Sequence, residues 1–247
     1  MIEFDGVTKR YPDGTVAVDA LDLTIETGRI TAFLGSSGSG KTTILRMINR
    51  MIEPTAGRIR IDGRDIAEIP PVALRRGIGY VLQQAGLLPH RTVLQNVATV
   101  LRLNGAPRRA AEARAAEMMT TVGLDAALGR RYPAELSGGQ QQRVGVARAL
   151  AADPAILLMD EPFGAVDPIV RAELQEELVR LQRSLGKTVV FVTHDVDEAF
   201  YLGERIVLFR PGGRVAQTGT PAELLASPVD DFVADFIEAG RPRSILR

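Results

Sequence analysis

The 247-residue sequence contains no cysteine and no tryptophan, and only two of its residues are histidine. The absence of cysteine excludes disulfides and thiolate metal sites, and it fits a reducing compartment. The sequence also lacks an excess of either charge, because 30 acidic side chains balance 30 basic ones. A protein whose main partner is a nucleic acid normally needs a basic field, so the balanced charge argues against that class.

Long apolar runs are missing as well, and we do not expect the N-terminal residues to form an export signal. The N-terminus carries the acidic residues Glu3 and Asp5 and has no uninterrupted apolar stretch, which argues against a signal peptide. The longest apolar strings, at 155–159 and 189–193, are far shorter than the roughly 20 residues that span a bilayer. We therefore expect any membrane role to depend on a partner.

The sequence does contain an alternation of strand and helix patterns. Short runs with strand character are predicted at residues 16–25, 29–34, 57–61, 77–82, 155–159 and 188–193. Helices are predicted at residues 42–51 and 169–185. Residues 91–153 have no strand runs and are rich in Ala, Arg, Glu, Leu and Met, which predicts a helical insert.

A glycine-rich loop between a predicted strand and a predicted helix matches the phosphate-binding pattern G-x-x-x-x-G-K-[ST] in full. The matching residues are Gly35, Ser36, Ser37, Gly38, Ser39, Gly40, Lys41 and Thr42, and Thr43 completes the predicted nucleotide-binding set. The glycines let successive N–H groups point inward, Lys41 places a charge on the β and γ phosphates, and Thr42 offers a hydroxyl to Mg²⁺. The alternative, a glycine-rich turn that binds nothing, leaves the Lys-Thr pair unexplained. The loop therefore predicts an ATP or GTP site.

Two adjacent carboxylates, Asp160 and Glu161, follow the apolar strand predicted at 155–159. At the carboxyl edge of a parallel sheet such residues lie near a phosphate loop. Asp160 is predicted to orient a water on Mg²⁺, and Glu161 to act as the general base on the attacking water. Without the phosphate loop, the same pair would more simply be solvated loop residues.

The run Leu136-Ser137-Gly138-Gly139-Gln140, followed by Gln141-Gln142-Arg143, resembles the signature of ABC-type ATPases. Ser137 is suited to cap a helix that starts near Gly138, and the glycines let backbone N–H groups approach a phosphate. In that family the signature of one subunit closes over the phosphate loop of another. The resemblance therefore implies a head-to-tail dimer that encloses ATP and Mg²⁺, and we expect the second subunit to be a copy of this chain.

The resemblance extends from Glu3 to about Ala239 and implies roles for four further residues. Tyr11 matches the aromatic residue that stacks on adenine, and Gln83 matches the glutamine that contacts Mg²⁺ and the attacking water. Asp167 matches the D-loop aspartate, and His194 the switch histidine that contacts the γ-phosphate. Simpler interpretations remain open for each: a surface aromatic, a strand-end amide, a helix cap before Pro168 and a structural histidine.

The fold that the resemblance implies is α/β. It is that of an ABC-type ATPase, with a RecA-like P-loop lobe, an antiparallel β portion at the N-terminus and an inserted helical lobe. We assign residues 1–240 to the ATPase domain, with the RecA-like lobe at 1–85 and 153–220 and the helical lobe at 86–152. Residues 221–247 are predicted to form a C-terminal helix and a tail, of which the Arg-rich residues 241–247 are expected to fray.

Within the family, residues 47–55, 79–84 and 160–168 look most like the importers of glycine betaine, carnitine and choline. This similarity implies an ATP-hydrolysing subunit at the cytoplasmic face of the membrane, peripheral to multi-span permease subunits that receive solute from an extracytoplasmic binding protein. Residues 83–90 resemble the segment that meets the permease's coupling helix, although Leu87 and Leu88 there could be core. Because the sequence stops at Arg247, we expect no C-terminal regulatory modules.

Three other functions stay open from the sequence. The solute could be another small molecule, such as an amino acid, because the residues that hydrolyse ATP never touch the cargo. A soluble ABC ATPase that acts on nucleic acid or ribosomes is disfavoured by the neutral charge and by the short insert. A nucleotide-dependent scaffold would leave Glu161 and His194 idle.

Overall fold

The structure is a computed structural model that describes residues 1–164 and 166–240. Ala165, which belongs to the predicted D-loop, and the predicted frayed tail at 241–247 lie outside the described residues. Contacts divide the chain into two compact units. The outer unit consists of Met1–Pro71 and Val189–Arg247, and the middle unit is Val72–Thr188. The lobe boundaries given above remain a prediction.

The strands and helices alternate along the chain, as their sequence patterns indicate. The strands are β1 Ile2–Arg10, β2 Val16–Ile25, β3 Ile30–Gly35, β4 Ala56–Ile61, β5 Arg64–Asp65, β6 Ile78–Val81, β7 Ile156–Asp160, β8 Thr188–Thr193, β9 Arg205–Arg210 and β10 Arg214–Gly219. The α-helices are α1 Lys41–Ile48, α2 Pro71–Gly77, α3 Val93–Val97, α4 Thr99–Leu103, α5 Arg108–Thr121, α6 Gly138–Leu150, α7 Pro168–Leu185, α8 Val196–Leu202, α9 Pro221–Ala226 and α10 Asp231–Gly240. Short 3₁₀ helices lie at Ile66–Glu68, Ala126–Arg130 and Pro133–Glu135.

An antiparallel sheet with the strand order β2-β1-β4-β5 forms one part of the outer unit. Ile2 of β1 lies opposite Ile25 of β2 and Ile61 of β4. Ile2 and Val7 are fully buried, so one face of this sheet contributes to the core of the unit. The predicted antiparallel portion at the N-terminus is therefore confirmed.

The second part of the outer unit is built on three parallel strands, with β3 between β8 and β9. Strand β10 pairs antiparallel with β9 at the edge. Every residue of β3 and β8 is buried, which is typical of strands that are covered on both faces. The rings of Phe33 and Phe209 meet edge to face, with centroids 5.2 Å apart, in this core.

The middle unit pairs β6 and β7 in parallel, with Val81 opposite Met159. Helix α6 packs on β6 and contacts α3, α5 and α7. Arg143 of α6 forms ion pairs with Glu173 and Glu177 of α7, with N–O distances of 3.2 and 3.6 Å. Residues 91–153, all of them described, contain helices and turns but no strand, as the sequence predicts.

Within the described ranges, no helix combines the length and the apolar character that are needed to cross a bilayer.

Candidate nucleotide-binding site

The phosphate loop joins β3 to α1 inside the outer unit. Residues 36–38 are exposed, whereas Ser39 and Lys41 are only 1% and 5% exposed. Gly40 caps α1 with φ of +89°, a backbone conformation that a residue with a side chain rarely adopts. The loop thus curls around the N-terminus of α1, where the helix dipole favours an anion.

The ammonium of Lys41 is held over this loop by three acceptors. Its Nζ donates to the carbonyl oxygens of Gly35 and Ser36, at 2.8 and 2.7 Å, and to Ser39 Oγ at 3.2 Å. A lysine in this position carries its charge to the rim of the loop. It can exchange these carbonyl oxygens for phosphate oxygens without leaving the loop.

Tyr11 lies beside the phosphate loop, as the adenine-stacking prediction requires. Its hydroxyl oxygen is 3.5 Å from Oγ1 of Thr43, and Lys9 Nζ is 5.4 Å from the centroid of its ring. The side chain is half-buried. Tyr11 is therefore close to the predicted nucleotide-binding residues rather than an isolated surface aromatic.

His194 leaves the sheet at the same edge as the phosphate loop. Strands β3 and β8 run parallel, with Leu34 opposite Thr193, so Gly35 and His194 occupy matching positions just beyond the pair. The imidazole is exposed. This placement is what a contact to a terminal phosphate needs.

In the middle unit, the predicted metal-associated carboxylate stands at the end of β7. Asp160 is 5% exposed, and the Tyr80 hydroxyl donates to its Oδ2 at 3.3 Å. The sequence analysis did not single out Tyr80. The only signal for it is the register, because Tyr80 of β6 lies opposite Leu158, two residues before Asp160.

The structure brings the predicted base Glu161 and the predicted water-sensing Gln83 into contact. Gln83 Nε2 donates to Glu161 Oε2 at 3.2 Å. Because Val81 pairs with Met159, both residues lie two positions beyond the same strand pair. Glu161 adopts φ of +45°, which is unusual for a residue with a side chain.

The signature residues begin α6. Ser137 Oγ accepts from the Gln140 N–H and the Ser137 N–H donates to Gln140 Oε1, which forms a capping box. The predicted cap is therefore confirmed, and Ser137 and Gly138 are exposed. Gly139 is buried, and a Cβ there would meet Val170 Cγ1 at 2.3 Å, so the signature needs glycine for packing against α7.

Asp167 caps α7, as one interpretation of the sequence predicted. Its Oδ1 accepts from the Val170 N–H at 3.1 Å, and Pro168 is the first residue of the helix. The carboxylate is exposed, so a contact to a partner subunit or to nucleotide stays compatible with the cap.

The segment predicted to meet a permease is held by a residue that sequence analysis missed. Asn96 is fully buried in α3, where its Oδ1 accepts from the Leu88 N–H at 2.7 Å. Its Nδ2 donates to the carbonyl oxygens of Leu88, Arg91 and Thr92. Leu87 and Leu88 are half-buried, so neither is a fully enclosed core residue.

The donors predicted for Mg²⁺ are a hydroxyl, an amide oxygen and a carboxylate, on Thr42, Gln83 and Asp160. All three are hard oxygen ligands, which is the set that Mg²⁺ prefers. In the described part of the chain, no three His, Cys, Asp or Glu side chains are grouped to hold a metal.

Comparison with known proteins identifies the family. The family described as ABC transporter matches residues 18–164. The chain belongs to the ABC transporter family. The glycine betaine/carnitine/choline transport ATP-binding protein OpuCA of Bacillus subtilis is 53% identical over 99% of this chain and 64% of its own length. The glycine betaine uptake system ATP-binding protein YehX of Escherichia coli is 50% identical over 96% and 76%.

Solved structures agree with the fold. A dimeric ATP-binding cassette in a post-hydrolysis state, bound to ADP and Pi, is 36% identical, with a TM-score of 0.81 over 90% of this chain and 99% of that one. The α/β ABC-type ATPase fold expected from the motifs is confirmed, as is the resemblance to the glycine betaine, carnitine and choline group. The chain spans slightly less than two thirds of the length of the first relatives, 64% of OpuCA and 64% of the choline transport protein OpuBA.

Replacing Tyr11 with alanine should weaken ADP binding by about five- to tenfold, because one face of the adenine would lose its aromatic contact and such stacking contributes roughly 1–3 kcal/mol per base. Isothermal calorimetry measures the change. Tyr201→Ala, which removes a tyrosine that is 58% exposed, is the matched control and should leave the affinity unaltered. An unchanged affinity for Tyr11→Ala would exclude the stacking role.

Proposed function

We propose that this chain is the ATP-hydrolysing subunit of an ABC importer for glycine betaine, carnitine, choline or a related quaternary amine. The observation that carries the hydrolytic part is the contact between Gln83 and Glu161 directly beyond the β6–β7 pair. The solute class is supported by relatives that are 45–53% identical and whose names describe transport of these compounds.

In this proposal, residues of the outer unit bind the nucleotide. The N–H groups of residues 35–43 surround the phosphates, Lys41 neutralises the β and γ oxygens, and Tyr11 stacks on adenine. Thr42 and Asp160, together with the amide oxygen of Gln83, would hold Mg²⁺, which would neutralise charge on the phosphates.

Hydrolysis requires a water aligned with the bond between the γ-phosphorus and the β–γ bridging oxygen. Glu161 accepts a proton from this water as its oxygen attacks the γ-phosphorus, and the bridging oxygen leaves with ADP. Gln83 holds the Glu161 carboxylate through its amide, which orients the base. His194 donates a hydrogen bond to the γ-phosphate oxygens, where negative charge accumulates.

A second copy of the chain completes each site in this proposal. Ser137, Gly138, Gly139 and Gln140 of one subunit, with Asp167, face the phosphate loop of the other. The exposure of Ser137 and Gly138 at the N-terminus of α6 supports this arrangement, because the N-terminus of a helix suits a phosphate. The dimeric relative bound to ADP and Pi supports it as well.

Transport then follows from the different affinity of the dimer for ATP and for its products. ATP clamps two subunits together, and hydrolysis with product release lets them part. The permease subunits dock at residues 83–90 on the cytoplasmic face of the membrane and receive solute from an extracytoplasmic binding protein.

Glu161→Gln should lower the rate of ATP hydrolysis at least about 100-fold, because a general base contributes about 10²–10⁴-fold. The affinity for ATP should stay near that of the unaltered chain, since the glutamine keeps an oxygen that accepts from Gln83. Phosphate release and calorimetry measure the two quantities, and gel filtration with ATP and Mg²⁺ should show an accumulated dimer. Glu238→Gln, on an exposed position of α10, is the control; retained turnover in Glu161→Gln would remove Glu161 as the base.

Because the chain has no cysteine, two engineered thiols would be unique. We expect a mixture of Ser37→Cys and Ser137→Cys chains to form a covalent dimer with a short bifunctional maleimide when ATP and Mg²⁺ are present. Ser37 and Ser137 are both exposed in the isolated chain. Denaturing gel electrophoresis reads the product, with each variant alone as the control. A mixture that stays monomeric with nucleotide would contradict the head-to-tail dimer.

The solute class is tested in membranes. Vesicles that contain the intact complex should take up labelled glycine betaine only with internal ATP, and excess unlabelled choline or carnitine should reduce uptake. Incorporating Glu161→Gln should abolish uptake while the complex still assembles. If an excess of an amino acid abolished uptake and quaternary amines did not, the solute would be reassigned. If nucleic acid stimulated the ATPase activity of the isolated chain, the transport role would be contradicted.

A further inference from the structure

The β9–β10 hairpin packs against the back of the phosphate loop, although it belongs to no nucleotide-binding motif. The Gly213 N–H, at the tip of the hairpin, donates to the Ser39 carbonyl oxygen at 3.1 Å. At the other end of the loop, a Cβ on Gly35 would lie 2.7 Å from the carbonyl oxygen of Phe209, the penultimate residue of β9. Both ends of the loop therefore rest on the same hairpin.

No side chain separates the backbones at the tip. A Cβ on Gly40 would meet the Ala17 carbonyl oxygen at 2.3 Å and the Gly213 Cα at 3.2 Å. A Cβ on Gly213 would meet the Ala17 carbonyl oxygen and the Val18 Cα, both at 2.8 Å. Strand β2, the hairpin tip and the phosphate loop thus approach one another as closely as backbones can.

The neighbours of Gly213 have little freedom to yield. Val18 is fully buried in β2, and the two nearest atoms belong to the backbone, with Val18 Cγ2 next at 3.0 Å. Next to the tip, Arg214 Nε donates to Asp19 Oδ2 at 3.1 Å, which ties the hairpin to the same strand. An added methyl group at position 213 would therefore move the hairpin rather than β2.

Movement of the hairpin would reach the phosphate-binding groups directly. It would break the hydrogen bond from Gly213 to the Ser39 carbonyl oxygen, and Ser39 Oγ is one of the three acceptors that hold the Lys41 ammonium. Gly40, which starts α1, touches the same tip. The backbone N–H groups that would face a phosphate lie on these residues.

We propose that Gly213 is a positioning residue for nucleotide binding: its missing side chain lets the hairpin hold the phosphate loop in the conformation that accepts ATP. The proposal rests on the assignment of the phosphates to residues 35–43. It adds a requirement at a position outside the ATPase motifs, about 170 residues further along the chain than Gly40.

The test compares two neighbouring glycines. Gly212 and Gly213 both have positive φ, +82° and +65°, so alanine strains the backbone at either position. A Cβ on Gly212 would meet nothing within 4 Å. Gly213→Ala should therefore raise the Kd for ADP by about tenfold, because overpacking displaces the loop, whereas Gly212→Ala should change the Kd less than about twofold.

Calorimetry with ADP and Mg²⁺ gives the affinities, and the thermal midpoint of each variant measures the loss of stability. Equal affinities for Gly212→Ala and Gly213→Ala would overturn the proposal. Lys41→Ala is measured alongside. If Lys41→Ala and Gly213→Ala both keep full affinity, the phosphate-loop assignment itself fails. If Lys41→Ala loses affinity and Gly213→Ala does not, only the role of Gly213 is refuted.

A second variant covers the case in which Gly213→Ala does not fold. Inserting one glycine between Gly212, which is half-buried, and Gly213, which is buried, lengthens the turn without adding a side chain. It shifts the N–H that donates to Ser39 and should raise the Kd for ADP several-fold. An insertion variant that folds and binds ADP as tightly as the unaltered chain would overturn the proposal.

Discussion

In-register pairing of parallel strands is the constraint that places the predicted site residues in each of the two units. Residues that directly follow two paired parallel strands lie at the same edge of the sheet. The strand pairing alone therefore brings them close together. In the outer unit this rule aligns Gly35 with His194, and in the middle unit it aligns Gln83 with Glu161. A slip of one residue in either pair would turn every side chain to the opposite face and separate these partners.

The predicted base and the phosphate loop include backbone in conformations that most residues avoid. Glu161 has positive φ, and conformations of this kind cost about 1–3 kcal/mol each. The phosphate loop relies instead on glycine, where Gly40 takes a positive φ and touches two other backbone segments. The buried strands β3, β7 and β8 supply the stability that these conformations consume. The buried strands and the turns that directly follow them thus define where the predicted reactive groups lie.

Much of this arrangement could be predicted from the sequence, because motifs record local geometry. The phosphate loop, the Ser137 cap and the cap at Asp167 each depend on residues within a few positions of one another, and all three appear as expected. Most predicted strands and helices are found within a few residues of their expected ends. Strand β1 was missed because its pairing is shifted near Gly6, which interrupts the alternation of apolar residues.

The remaining features depend on contacts between distant parts of the chain. Strand β10 lies at one edge of its sheet and has a single buried residue, so its sequence lacks the apolar run by which a strand is predicted. Tyr80 reaches Asp160 only through the register of β6 with β7, and Gly213 reaches the phosphate loop only through the turn between β9 and β10. No local pattern encodes such distances. The sequence predicts the reacting residues, whereas most of the residues that contact them became visible only in three dimensions.

The side-chain amide of Asn96 joins the turn at Leu88 to helix α3. One side chain makes four hydrogen bonds to the backbone between Leu88 and Thr92, so this turn and α3 form a single stiff piece. Helix α3 in turn packs on α6, whose first turn carries the signature. Leu88 is therefore linked to the signature helix through one hydrogen-bonded turn and one contact between helices.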